Sequence, residues 1–149
     1  MTKSFFSLIA LALVFAAAAF PQTPKAAKHK AVFELNAPAP SGWDQLFHNV
    51  ENVQKVFAAD GTQVEIVFFG QGLRMLLKTN SEYAERLKAA ADSGVVLAAC
   101  QNTMRAMKVT GDDLFPFATQ VDSGVAELVC KRKPGLFISR AVSKHVQPA

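Results

Sequence analysis

Cys100 is the residue best placed to do chemistry. It closes the apolar run Val95-Val96-Leu97-Ala98-Ala99 and is followed by the polar Gln101, Asn102 and Thr103. Asn102 or Thr103 is suited to cap a helix running to about Met107. A cysteine at such a strand-to-helix junction faces the first N–H groups and the positive end of the helix dipole. Both stabilise a thiolate and lower its pKa. Asn102 and Thr103 add side-chain hydrogen bonds nearby. The thiolate is the form that attacks sulfur or another electrophile. The competing reading is a small buried hydrophobe, common for a free cysteine.

Cys130 reads differently. It lies on the shoulder of an amphipathic stripe formed by Val125, Leu128 and Val129. If the helix carrying it starts at the same edge as Cys100, Cys130 lies ~10 Å down the axis. A disulfide needs Cα atoms within ~7 Å. Two thiols, or an intermolecular bond, are therefore expected. Two cysteines are too few for a four-cysteine zinc or iron–sulfur site, and they form no C-x-x-C motif. His29, His48 and His145 show no metal-ligand spacing, so neither metal nor cofactor is expected. No G-x-S-x-G nucleophile motif occurs. Asp112-Asp113 read as a turn and a cap rather than as paired catalytic carboxylates.

Two further segments sit where chemistry is expected. Gly70-Gln71-Gly72 follows the apolar run Val64–Phe69. It is part of a phosphate-loop pattern, but Met75 stands at the third glycine position, so turn glycines are the better reading. Asn36 follows the β-rich run Lys30–Leu35. If the three apolar runs are parallel strands, their carboxyl ends bring Asn36, Gly70, Gln71, Gly72, Cys100, Gln101, Asn102 and Thr103 to one edge. That edge would form a single substrate crevice.

The elements that must hold this edge are legible in the periodicity. Trp43, Leu46, Phe47, Val50, Val53 and Phe57 recur at helical spacing from about Ser41 to Ala59. Leu73–Lys78 reads as a short helix. Thr79-x-x-Glu82 has the form of a capping box opening a helix with Tyr83, Leu87 and Ala90 on one face. Glu82 and Arg86 are spaced to pair along it, and Gly94 ends it. A short strand ends near Val121, Asp122 or Ser123 caps a last helix, and Leu136–Arg140 is the last strand. Alternating buried strands and amphipathic helices predict an α/β fold. Its layers are three, with a mainly parallel sheet of about five strands flanked by helices. An α+β sandwich with mixed strands is the alternative.

The chain has 149 residues, half of them apolar, and a net charge of +4. That suits one globular domain and excludes a disordered chain or a disulfide scaffold. Lys3, the apolar run to Ala18 and the small residues Ala16–Ala19 form a secretory signal pattern with cleavage after Ala19. The run is ~15 residues, short of the ~20 that span a membrane. The expected organisation is residues 1–19 as signal peptide, 20–29 as disordered tether and 30–149 as domain. The mature chain of ~130 residues would be periplasmic or secreted, with no membrane span. The modest basic excess reads as solvated faces, not as a nucleic-acid footprint.

The segment Gly94–Met104, with Cys100-Gln-Asn102-Thr103 at its heart, resembles the central segment of the DsrE/DsrF-like proteins. Leu46…Asn49-Val50-x-Asn52, Gly70-x-Gly72-Leu73 and Gly124-Val125-Ala126-Glu127-Leu128-Val129 resemble them as well. The resemblance runs from about Ala31 to Ser139. It implies a parallel three-layer fold assembled as a homo-oligomer, a trimer or hexamer. In sulfur-relay members a cysteine at this place carries a persulfide between a donor and an acceptor protein, and the match carries that role to Cys100. Two departures stand out. Phe69-Gly70 occupies the place of a His-Gly pair, so a basic neighbour is missing. The relay members are cytoplasmic, whereas this chain reads as exported. A non-catalytic oligomeric binding module with an unreactive cysteine is the second reading.

Overall fold

The computed structural model describes residues 27–38, 41–131 and 137–141. Five strands form one sheet: β1 (His29–Leu35), β2 (Thr62–Phe68), β3 (Val96–Cys100), β4 (Thr119–Val121) and β5 (Phe137–Ala141). Their order is β4-β3-β2-β1-β5, and every pairing is parallel. Among the described residues four α-helices accompany them: α1 (Ser41–Val56), α2 (Ala84–Asp92), α3 (Gln101–Met107) and α4 (Gly124–Lys131). The expected α/β architecture is observed, and the mixed α+β sandwich is not. The residues read as a signal peptide, 1–19, and most of those read as a tether, 20–29, fall outside the described residues. The strand β1 starts at His29, inside the segment read as tether, and Lys28 forms a 2.7 Å ion pair with Asp60.

Alternation along the strands divides the core between two faces. Phe33, Leu35, Ile66, Phe68, Leu97 and Ala99 point to one face. There they meet Trp43, Leu46, Phe47 and Val50 of α1, Leu87 of α2 and Met104 of α3. The Trp43 indole donates to the Ala37 carbonyl at 3.1 Å, and Tyr83 packs edge-on to Trp43 and parallel to Phe47. Val32, Val67 and Ala98 point to the other face, where Leu128 of α4 covers them. The split follows from handedness. The chain steps from β1 to β4 in one direction, then crosses back to β5 beyond β1. Right-handed crossovers in opposite directions place their helices on opposite faces.

Several local expectations shift. The helix α1 ends at Val56, and Phe57–Asp60 form a turn in which the Phe57 ring lies 4.2 Å from that of His29. Gly70–Leu76 and Ser81–Tyr83 are 3₁₀ turns. The Thr79-x-x-Glu82 box is not made: Asn80 precedes the 3₁₀ turn, and α2 begins only at Ala84. Arg86 reaches across to Asp44 of α1 at 2.6 Å and lies over the Phe47 ring at 4.3 Å, rather than pairing along its own helix. A capping box does form at Thr110, whose backbone N–H and hydroxyl both donate to the Asp113 carboxylate. That agrees with the turn-and-cap reading of Asp112-Asp113. Gly94 adopts φ +88° after α2, the left-handed terminator its position suggested.

Candidate functional site

Cys100 is the last residue of β3 and the residue from which α3 departs. The helix therefore starts earlier than a cap at Asn102 or Thr103 would place it. Cys100 itself occupies the N-cap position with extended dihedrals, φ −74° and ψ 113°. This brings the N–H groups of Asn102 and Thr103, which lack partners within α3, to the cysteine sulfur. The Asn102 N–H is shared with the Asp122 carbonyl at 3.3 Å.

A second helix converges on the same sulfur. Cys100 points to the α4 face of the sheet, two residues beyond Ala98. The crossover from β4 starts α4 above this edge, and the Gly124 N–H donates to Cys100. Ser123 caps α4, its hydroxyl accepting from the Ala126 N–H at 3.4 Å. Gly124 is buried because Phe69 and Val67 press on it. A Cβ there would lie 3.2 Å from both.

Thr103 completes the cup. Its hydroxyl donates to Cys100 and accepts from the Gly70 N–H at 3.1 Å. Gly70 reaches this position with φ +52°, a conformation that favours glycine. Gly72 lets the 3₁₀ turn close over β1. A Cβ on it would sit 2.1 Å from the Leu35 carbonyl oxygen.

The electrostatic outcome has a definite sign. Burial pushes the Cys100 thiol up. The Gly124 N–H, the Thr103 hydroxyl and the N–H groups of Thr103 and Asn102 pull it down and prevail, so it lies below its ordinary value of 9.0. Every lowering contribution is dipolar, and none comes from a cationic side chain. Phe69, the residue before Gly70, packs with Val67 and Leu128.

The remaining expected crevice residues play lesser parts. Asn36 adjoins Gly70, its carbonyl 3.7 Å from where a Gly70 Cβ would lie. Gln71 is exposed and accepts from Arg74 at 2.8 Å. Gln101 reaches Gln120 at 3.4 Å, and the Asn102 side chain accepts from Arg105. Cys100 is buried, Cys130 is exposed, and both are free thiols, in line with the expected absence of a disulfide between them. Among the described residues no group of three His, Cys, Asp or Glu could hold a metal ion. No described helix is long and apolar enough to cross a membrane.

Sequence reasoning placed Cys100, Asn102 and Thr103 at one edge, and the structure brings them together there with Gly124, which that reasoning did not place at the edge. The Gly124 N–H arrives through the crossover from β4 to β5, and the strand order that sets this crossover is not written in the apolar patterning.

The model of the DsrE/DsrF-like family matches residues 11–131. The chain belongs to the DsrE/DsrF-like family. A solved protein of unknown function from Methanobacterium thermoautotrophicum is similar to it at 29% identity and a TM-score of 0.70. That similarity covers 75% of this chain and 98% of the other. No curated protein matches. Sulfur relay is associated with the DsrE/DsrF-like family, and Cys100 lies within the matched region.

Proposed function

We propose that Cys100 is a persulfide carrier. Its thiolate attacks the outer sulfur of a sulfane donor. A new S–S bond forms on Cys100, and the donor leaves as its thiolate or sulfide. The single observation that carries this reading is the convergence of α3 and α4 on one cysteine. Three backbone N–H groups and a hydroxyl lower the pKa of its thiol. Thr103, Asn102 and Gly70–Gly72 shape the surrounding wall. The carrier works in the periplasm after cleavage near Ala19, as a homo-oligomeric trimer or hexamer, between a donor and an acceptor protein.

A second reading has its own support. Phe69 replaces a basic neighbour, and Cys100 keeps only 4% of its surface exposed. Both suit a binding module of the same fold with an inert thiol. Intact mass after treatment with inorganic polysulfide separates the two. In a Cys130→Ser chain the carrier gains one sulfur, about 32 Da, and the further change Cys100→Ser abolishes that gain. No gain, or an equal gain in Cys100→Ser, rejects the carrier.

A further inference from the structure

Two arginines at the Cys100 edge are held by neutral amides rather than by carboxylates. Arg86, by contrast, pairs with Asp44 at 2.6 Å and lies over the Phe47 ring. Arg74 and Arg105 are exposed and form no ion pair among the described residues. Each donates to an amide three residues back. Arg74 Nε reaches Gln71 Oε1 at 2.8 Å, and the Arg105 guanidinium reaches Asn102 Oδ1. An amide orients a guanidinium without cancelling its charge. It also takes only one of five donors, so most of each fork stays available.

The two amides set where these charges lie. Gln71 and Asn102 adjoin Gly70 and Thr103 in the chain. The hydrogen bond from the Gly70 N–H to the Thr103 hydroxyl, 3.1 Å long, ties the first turn after β2 to the first turn after β3. Both arginines therefore fold back toward the carboxyl edge of the sheet, one from each side of that bond. Asp122 shares the edge, because its carbonyl accepts the Asn102 N–H at 3.3 Å. Its carboxylate pairs with neither arginine, and the two guanidiniums outnumber it.

We infer, resting on the carrier reading, that this edge selects anions: the sulfane donor for Cys100 is a small molecule with a carboxylate or other oxyanion beside its transferable sulfur. A guanidinium fork binds such a group through two parallel N–H···O bonds. An anionic donor approaching a thiolate meets its repulsion. Fixed cations at the edge offset that repulsion over ~10 Å at 0.1 M salt and raise the local concentration of anions. A neutral donor gains nothing from them.

The test uses the full chain carrying Cys130→Ser, so that Cys100 is its one thiol. It is alkylated in parallel with iodoacetate, an anion, and with iodoacetamide, its neutral analogue. Thiolate fraction and burial act on both reagents, so the ratio of the two rates reads the charge preference. Arg74→Gln with Arg105→Gln is expected to lower the iodoacetate-to-iodoacetamide ratio at least about twofold. Arg74→Lys with Arg105→Lys keeps both charges and is expected to retain most of the parent ratio. An unchanged ratio in the double glutamine chain, or an equal fall in the double lysine chain, overturns the inference. Reaction with both reagents at a ratio the arginines do not alter rejects the anion preference and leaves the carrier reading standing. A Cys100 that reacts with neither reagent rejects the carrier reading, and the anion preference with it.

Discussion

Thr103 links two parts of the site through one hydroxyl. The Gly70 N–H occupies an acceptor position on Thr103, leaving the hydroxyl proton for the Cys100 sulfur. Removing that proton donor destabilises the thiolate. Thr103→Val is therefore expected to move the pH midpoint of Cys100 alkylation upward and to slow alkylation at neutral pH at least about threefold. Thr103→Ser retains the hydroxyl and is expected to keep the wild-type profile. A wild-type profile in Thr103→Val would contradict the assignment. Residues near Cys100 in sequence were the legible part of the site, because a strand running into a helix fixes their neighbours locally. Gly124 was not, because its N–H arrives through a crossover from a distant segment.

Gly72 and Lys131 show how elements are fixed to the sheet. The 3₁₀ turn packs so closely on β1 that a Gly72 Cβ would collide with the Leu35 carbonyl. Gly72→Ala is expected to cost about 3 kcal/mol or more, read by chemical denaturation, since backbone rather than a flexible side chain must yield. Lys131 at the end of α4 contacts Glu65 of β2 at 2.9 Å and Glu127 at 3.3 Å. Glu65 is buried, with 8% of its surface exposed. Lys131→Met leaves that carboxylate without its lysine and is expected to cost about 1–2 kcal/mol in the same measurement. The cost is kept modest because Lys131 is itself half exposed. The element boundaries also show where pattern reading fails. Thr79-x-x-Glu82 matched a capping box in letters, yet Asn80 and a 3₁₀ turn took the helix start. Thr110-x-x-Asp113 made the box with aspartate, a shorter carboxylate than the motif names.

At the scale of the molecule, alternating apolar runs and helical stripes were sufficient to predict a parallel α/β sheet of about five strands. They did not fix strand order, because order depends on which neighbour each crossover chooses. The return to β5 puts α4 alone, among the described helices, on the second face. That single choice brings the Gly124 N–H to Cys100. It also leaves Val125 and Val129 of α4 60% and 66% exposed. If the proposed homo-oligomer uses this helix, sedimentation at micromolar concentration is expected to give three or six chains. Val129→Glu is then expected to lower that mass, and a wild-type monomer would contradict the assembly. The state of the Cys100 thiol remains the most direct test of the site. In a Cys130→Ser chain, the thiolate is to be titrated by its ultraviolet absorbance across the alkaline range. The structure predicts a midpoint below that of the same thiol in the chain unfolded by denaturant, since the converging N–H groups outweigh burial. A midpoint at or above the unfolded chain's would show that burial prevails, and would contradict a cysteine held ready to carry sulfur.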